Sequence, residues 1–195
     1  MPYPLICRCL ARTLLAAISL LLAPVCRADV LHGLQLLDQH AALVNSATVA
    51  RRVVLLNFVF THCASTCPMQ VRELAALHDA LEPDVRARVH FLSVSIDPLN
   101  DTPASLAAYA RRMGAQRPGW TFATGAPGQV QSLVQRMQAM DSRRPSPRPQ
   151  DHRTSLYLFD ASGELVQRFA GVPIDRPRLI AEITRLARKP SPAAQ

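Results

Sequence analysis

Val53-Val54-Leu55-Leu56-Asn57-Phe58-Val59-Phe60 runs directly into Thr61-His62-Cys63-Ala64-Ser65-Thr66-Cys67-Pro68. The first eight residues are apolar without alternation, rich in β-branched and aromatic side chains, and broken only by Asn57. Such a run predicts a strand buried on both faces, in the middle of a sheet covered by helices. Pro68 then opens a helical stretch with Val71, Leu74, Leu77 and Leu81 on one face, and Pro83 stops it. A buried strand thus delivers two thiols to its C-terminal end, just ahead of a helix. Pro68 is expected at the first helical position, Cys67 at or near the N-cap, and Cys63 in the preceding loop. The unpaired N–H groups and partial positive charge of a helix start favour thiolate over thiol. Thiolate is the form that binds soft metals and attacks disulfides, so the Cys-x-x-x-Cys-Pro element points to one of those two chemistries.

Working outward, a second buried strand is expected over residues 89–96 and a short third one over 120–123. Between them, Thr102 is a good N-cap and Pro103 a good first residue for a helix over 103–113. A further helix is expected over 128–140. Residues 155–159 and 164–169 read as two strands turned by Asp160-Ala161-Ser162-Gly163, an antiparallel hairpin. Asp175 caps a last helix over 176–188. Residues 30–50 are mixed, with a short hairpin or strand near 34–37. Residues 141–150, DSRRPSPRPQ, have no apolar anchor and read as a mobile loop. Strands alternating with helices and closing in a hairpin predict an α/β protein: a thioredoxin-like fold, its central mixed sheet flanked by helices, with a C-terminal β-hairpin and helix.

The N-terminus reads differently. Arg8 and Arg12 precede an apolar stretch over residues 13–25, and Cys26-Arg27-Ala28 resembles a cleavage site. Residues 1–28 are therefore expected to be a secretory signal peptide; an uncleaved membrane anchor is the rival reading, although the stretch is shorter than the ~20 residues of a span. The domain is expected over 29–189, and residues 190–195 are a Pro/Ala-rich tail. Cleavage removes Cys7, Cys9 and Cys26 and leaves Cys63 and Cys67 of the five cysteines. One closely spaced pair closes too short a loop to act as an important staple, so chemistry explains it better. The net charge is +8, and losing Arg8, Arg12 and Arg27 with the leader leaves about +5. An exported chain without a basic stripe interleaved with aromatics is not expected to bind nucleic acid. Attraction to an anionic membrane, or to acidic partners, fits the charge.

Two thiolates leave a metal site incomplete, and a histidine from another segment is the natural third ligand, for Cu(I) or Cu(II). The histidines are 32, 40, 62, 78, 90 and 152. His62 adjoins Cys63 but points away from it at a strand end. His78 lies deep in a helix and His90 inside a strand. His152 stands just before the strand over 155–159, which is expected beside the 53–60 strand. The metal set is therefore Cys63, Cys67 and His152. Met69, Met137 and Met140 read as packing residues rather than thioether ligands. Asp97 lies at the C-terminal end of a strand, where such folds place ligands, although Asp97-Pro98 is also ordinary turn chemistry. Asp101 reads as turn and cap chemistry only.

Three stretches, FVFTHCASTCP, SIDPLNDTP and DHRTSLYLFD, in this order, resemble the Sco/SenC copper-binding proteins that help assemble cytochrome c oxidase. The resemblance covers roughly residues 30–188. It implies copper bound by Cys63, Cys67 and His152, with Asp97 beside the site as a residue that supports it or moves with it. It also implies a location in the periplasm, or at the inner membrane facing it, and delivery of copper to the oxidase. The partners implied are an oxidase subunit or another copper chaperone, and a thiol reductant for the cysteine pair. The main rival is a thiol–disulfide oxidoreductase of the cell envelope acting on partner cysteines. The four-residue spacing counts against it, since Cys-x-x-Cys is the usual redox motif, and His152-Arg153-Thr154 stands where thioredoxins place a proline before the strand. A peroxidase lacks its proline-and-threonine frame here, and a sensor is indistinguishable from a chaperone by sequence.

Overall fold

The computed structural model describes residues 30–141 and 148–189. The leader, the residues 142–147 of the Arg/Pro-rich loop and the tail from 190 lie outside the described residues. The chain opens with a hairpin, β1 (Leu36–Asp38) and β2 (Leu43–Val44), and one helical turn, α1 (Ser46–Val49). The strand read from the opening stretch is β3 (Val53–Val59), followed by α2 (Thr66–Ala80) and a further turn, α3 (Pro83–Arg86). Next come β4 (Val89–Ser95), α4 (Pro103–Arg112), β5 (Trp120–Gly125) and α5 (Pro127–Arg136). A 3-10 turn (Pro149–Asp151) leads into β6 (Ser155–Phe159), β7 (Leu165–Ala170) and α6 (Arg176–Arg188).

The strands form one mixed sheet in the order β2-β1-β5-β4-β3-β6-β7. β3, β4 and β5 run parallel, and β6 lies antiparallel against β3 with Asn57 opposite Leu156. β3 sits at the centre, and its unbroken apolarity has a direct cause. Leu55 faces a core built with α2, α4 and α6, through Leu74, Leu106 and Ile183. Leu56 faces a second core built with α5, through Val130 and Leu133. Alternate residues of a strand point to opposite faces, so a strand covered on both must be apolar throughout. Thr102 caps α4 by accepting from Ser105 N–H at 3.1 Å, and Asp175 caps α6 by accepting from Arg178 N–H at 3.2 Å.

Boundaries differ from the sequence reading in several places. The first hairpin lies further along, at 36–44, because Leu36 pairs with Gly125 at the sheet and Val44 closes the turn. β5 continues to Gly125 through its pairing with β1. α5 ends at Arg136 rather than 140, since Gln138 adopts φ +51°, which no helix accommodates. Pro149 and Gln150, read as part of a mobile loop, are held in the 3-10 turn, where the Asp151 carboxylate accepts from Arg148 N–H at 3.0 Å. Among the described residues no helix is long and apolar enough to cross a membrane.

Candidate metal and thiol centre

The parallel strands end together at one pole, and the candidate residues gather there. β3 passes into the Thr61–Ser65 loop, with Cys63 N–H donating to Phe60 C=O at 3.2 Å. α2 then begins at Thr66, two residues before the expected start; Ser65 is its N-cap and Pro68 sits at the third helical position. A proline is tolerated anywhere in the first turn because its missing N–H would be unpaired there regardless. The shift moves Cys67 from the expected N-cap into the helix and leaves Cys63 in the loop before it. Cys67 lies inside the first turn with its side chain in the core, 2% exposed, whereas Cys63 is half-buried in front of the helix.

The electrostatics follow from that placement. Burial raises the Cys63 thiol, but N–H groups of Cys67, Ser65 and Thr66 and the Cys67 thiol outweigh it and hold Cys63 below 9.0. The Cys67 N–H to Cys63 Sγ contact is 3.4 Å. Cys67 is pushed up to about 12, chiefly by burial and further by the Cys63 sulfur it serves as donor. Of the two thiols, Cys63, in front of the helix, is therefore the lowered one. Tyr109 lies near the pair: burial, then the fields of Cys67 and Cys63, push its phenol up, and its hydroxyl has no hydrogen-bond partner among the described residues.

The third expected residue arrives from the other side of the fold. His152 follows the 3-10 turn, and its backbone bridges antiparallel to Met140. Its Nδ1 lies 2.7 Å from Pro149 C=O. A carbonyl only accepts, so Nδ1 carries the proton and Nε2 presents its lone pair. That Nε2 is 4.0 Å from Cys67 Sγ. The ring meets Phe60 edge-on at 5.9 Å. Burial holds the imidazole below its ordinary value, against the carbonyls of Pro149 and Phe58, so it stays neutral near pH 7. Among the described residues no three His, Cys, Asp or Glu groups already stand as a closed metal cage; the two thiols and the imidazole approach one another without closing.

The other histidines are placed differently. His32, His40 and His62 are exposed, His78 is bonded to Pro118 C=O at 3.1 Å, and His90 to Thr121 Oγ1 at 3.0 Å. Asp97 accepts both Nδ2 bonds of Asn100, at 2.9 and 3.0 Å, which is turn chemistry. It also lines a hollow of about 470 Å³ with Phe60, His62 and Pro149, beside the His152 turn.

Two supporting residues differ from the sequence reading: Asp101, read there as turn and cap chemistry only, and Gln70, which it did not single out. Asp101 is 1% exposed; its carboxylate accepts from Thr61 N–H at 3.1 Å, Thr61 Oγ1 at 2.6 Å and Ser95 Oγ at 2.6 Å. It pins the start of the cysteine loop to the end of β4. Gln70, one turn after Cys67, receives Asn57 Nδ2 at 2.9 Å and donates to Thr154 C=O at 3.0 Å and Gly171 C=O at 3.3 Å. It therefore ties the cysteine helix to the segment just past His152. The visible signal was Asn57, an amide inside an otherwise apolar strand, which needs buried partners.

The SCO1/SenC family model matches residues 26–188. A SCO1 protein homolog of Bacillus subtilis is 26% identical over 137 residues, 69% of this chain and 70% of its own. Against the SCO2-like proteins of Rickettsia conorii and Rickettsia felis the chain spans 66% of their length. The copper-bound ScoI of Bradyrhizobium japonicum matches with a TM-score of 0.64 at 24% identity, covering 78% of this chain and 96% of that one. BsSco, described with a disulfide switch and as a member of the Sco family of cytochrome c oxidase assembly proteins, gives a TM-score of 0.67 at 21% identity, covering 80% and 92%. The structures establish the shared thioredoxin-like fold, and with a family model running over nearly the whole described chain, this protein belongs to the SCO1/SenC family.

Proposed function

We propose that the protein is a copper metallochaperone whose donor set is Cys63, Cys67 and His152, and that it supplies copper to, or prepares the copper site of, cytochrome c oxidase. The observation that carries this reading is the approach of Cys67 Sγ to a His152 Nε2 whose other nitrogen is fixed on Pro149 C=O. Thiolate and imidazole bonds to a first-row ion are about 2.3 and 2.0 Å long, so a gap of 4.0 Å admits one ion between them. An imidazole oriented through its second nitrogen is the usual state of a metal-ligating histidine. Two thiolates suit Cu(I), and the imidazole extends the set to Cu(II). Copper is bound in the Bradyrhizobium relative and oxidase assembly is the role given for BsSco. On this reading residues 1–28 direct export, placing the domain in the periplasm or on the inner membrane facing it. A thiol reductant keeps the pair open for loading, and Asp97 borders the site.

Anaerobic copper titration of the reduced protein tests it. One copper is expected per chain, lost in Cys63→Ala/Cys67→Ala; His152→Ala should weaken Cu(II) more than Cu(I), because two thiolates still hold the softer ion. Undiminished affinity for both ions in His152→Ala would remove His152 from the donor set, and full binding by the double cysteine variant would remove the site.

The unequal thiols favour a second reading, thiol–disulfide exchange on a partner. Cys63, lowered and half-exposed, would attack a disulfide, and Cys67 would resolve the mixed disulfide. Insulin reduction at a thioredoxin-like rate would favour this over the carrier.

A further inference from the structure

The pole opposite the thiols, where β3, β4 and β5 begin, holds a further cavity of about 540 Å³. Arg52, Arg86 and Arg117 line it, against a single carboxylate, Asp79. Asp79 is already committed: it takes Arg117 Nε at 2.7 Å and Nη2 at 2.6 Å. That pairing fixes the guanidinium plane and leaves Nη1 and the other two arginines uncompensated by it. The end of α2 supplies one more lining residue, His78, which is 3% exposed. Its ring packs on Phe91 at 5.0 Å and Trp120 at 6.2 Å. Nε2 donates to Pro118 C=O at 3.1 Å, while Nδ1 has no hydrogen-bond partner among the described residues and lies 3.8 Å from the Asp79 carboxylate. A buried nitrogen without a partner is costly and calls for an explanation.

We propose that this cavity is a site for a phosphate-type oxyanion, its oxygens held by Arg52, Arg86 and Arg117 and one proton shared between a ligand oxygen and His78 Nδ1. Guanidinium forks match tetrahedral oxyanions in geometry and charge. The proton requirement is met whichever partner brings it, because a hydrogen phosphate carries a P–OH and an imidazole carries it when protonated. Burial, then Arg117 and Arg86, hold His78 below its ordinary value, a penalty a bound anion would relieve. The phosphate could be free or the headgroup of a lipid. Arg52 also lines a neighbouring hollow of about 370 Å³ with Val30, so the chain enters the domain at this pole, the one a membrane-held leader would turn to a bilayer.

Trp120 is the sole tryptophan and stacks on His78 at 26°, so its emission reports on the charge of that ring. The reduced full-length protein is titrated with inorganic phosphate against chloride at constant ionic strength, and sedimented with vesicles of phosphatidylglycerol in phosphatidylcholine. A saturable emission change is expected, weakened at least about tenfold in Arg52→Ala/Arg86→Ala, with copper binding unaltered. If phosphate has no saturable effect but vesicle binding is strong and falls by the same factor in the variant, the headgroup is the source. A response that does not saturate, or that is equal in the two proteins, together with vesicle binding equal in the two proteins, overturns the site.

Discussion

Three residues separate two thiols that the fold treats in opposite ways. Cys63 faces the N–H groups of the helix start and is held below 9.0, while Cys67 is swallowed by the core and raised to about 12. Iodoacetamide at pH 7 should therefore label Cys63 first, and peptide mass spectrometry should find Cys67 modified at least about tenfold more slowly. Equal labelling would mean that the loop does not hold this geometry in solution. The sign reverses for stability. The folded state holds the Cys67 proton more tightly than the unfolded chain, so its contribution is present below pH 9 and lost as pH rises toward about 12. His90 acts at the acid end. Burial, then Arg52, push it from 6.5 down to about 4. Its neutral ring thus favours folding above pH 6.5, and this is lost as pH falls through about 4. A shift of that size is worth up to ~3 kcal/mol. Urea unfolding at pH 7 and pH 4.5 should show a smaller acid loss in His90→Gln than in the parent.

At the scale of elements, the strands were legible because each carries its own burial in its composition. Leu55 and Leu56 face different cores, and an eight-residue apolar run has no other soluble use. Helix ends were less legible. Pro68 suits the first or the third helical position equally, and only packing of Cys67 into the core selects between them. Cys63, Cys67 and His152 were singled out from spacing and strand order, but the residues that position them could not be. Asp101 and Thr61 are 40 residues apart and Gln70 and Gly171 are 101 apart, and nothing local marks them as partners. The Gln70 network has a sharp consequence. A Cβ on Gly171 would lie 1.5 Å from Thr154 C=O and 2.0 Å from Gln70 Nε2. Backbone cannot yield that far, so Gly171→Ala should destabilise by ~4 kcal/mol or more. Gln70→Ala removes the donor from two carbonyls and should cost ~2 kcal/mol, read in both cases as the urea midpoint. If Gly171→Ala unfolds at the parent's midpoint, the close approach of Gly171 to Thr154 and Gln70 is wrong.

The whole molecule separates two kinds of chemistry by the length of its sheet. Helices that follow parallel strands start at the thiol pole and end at the arginine pole, so the first collects unpaired N–H groups and the second collects basic side chains that suit helix C-termini. The thiol pole is also where distant parts of the chain meet: the loop after β3, which runs into the first turn of α2, and the residues before β6. An ion held by Cys63, Cys67 and His152 would join those segments and bind only the folded chain. By linkage, copper at 100 times its dissociation constant adds about 2.7 kcal/mol to the folded state. The reduced protein should accordingly unfold several degrees higher with one equivalent of copper than without. Hydrogen exchange should slow most around residues 61–67 and 149–154, because those backbones gain the new tie. The oxidised protein, with both sulfurs spent on each other, should show neither change. A copper-induced shift that is undiminished after oxidation, or that survives Cys63→Ala/Cys67→Ala, would place the ion elsewhere on the chain.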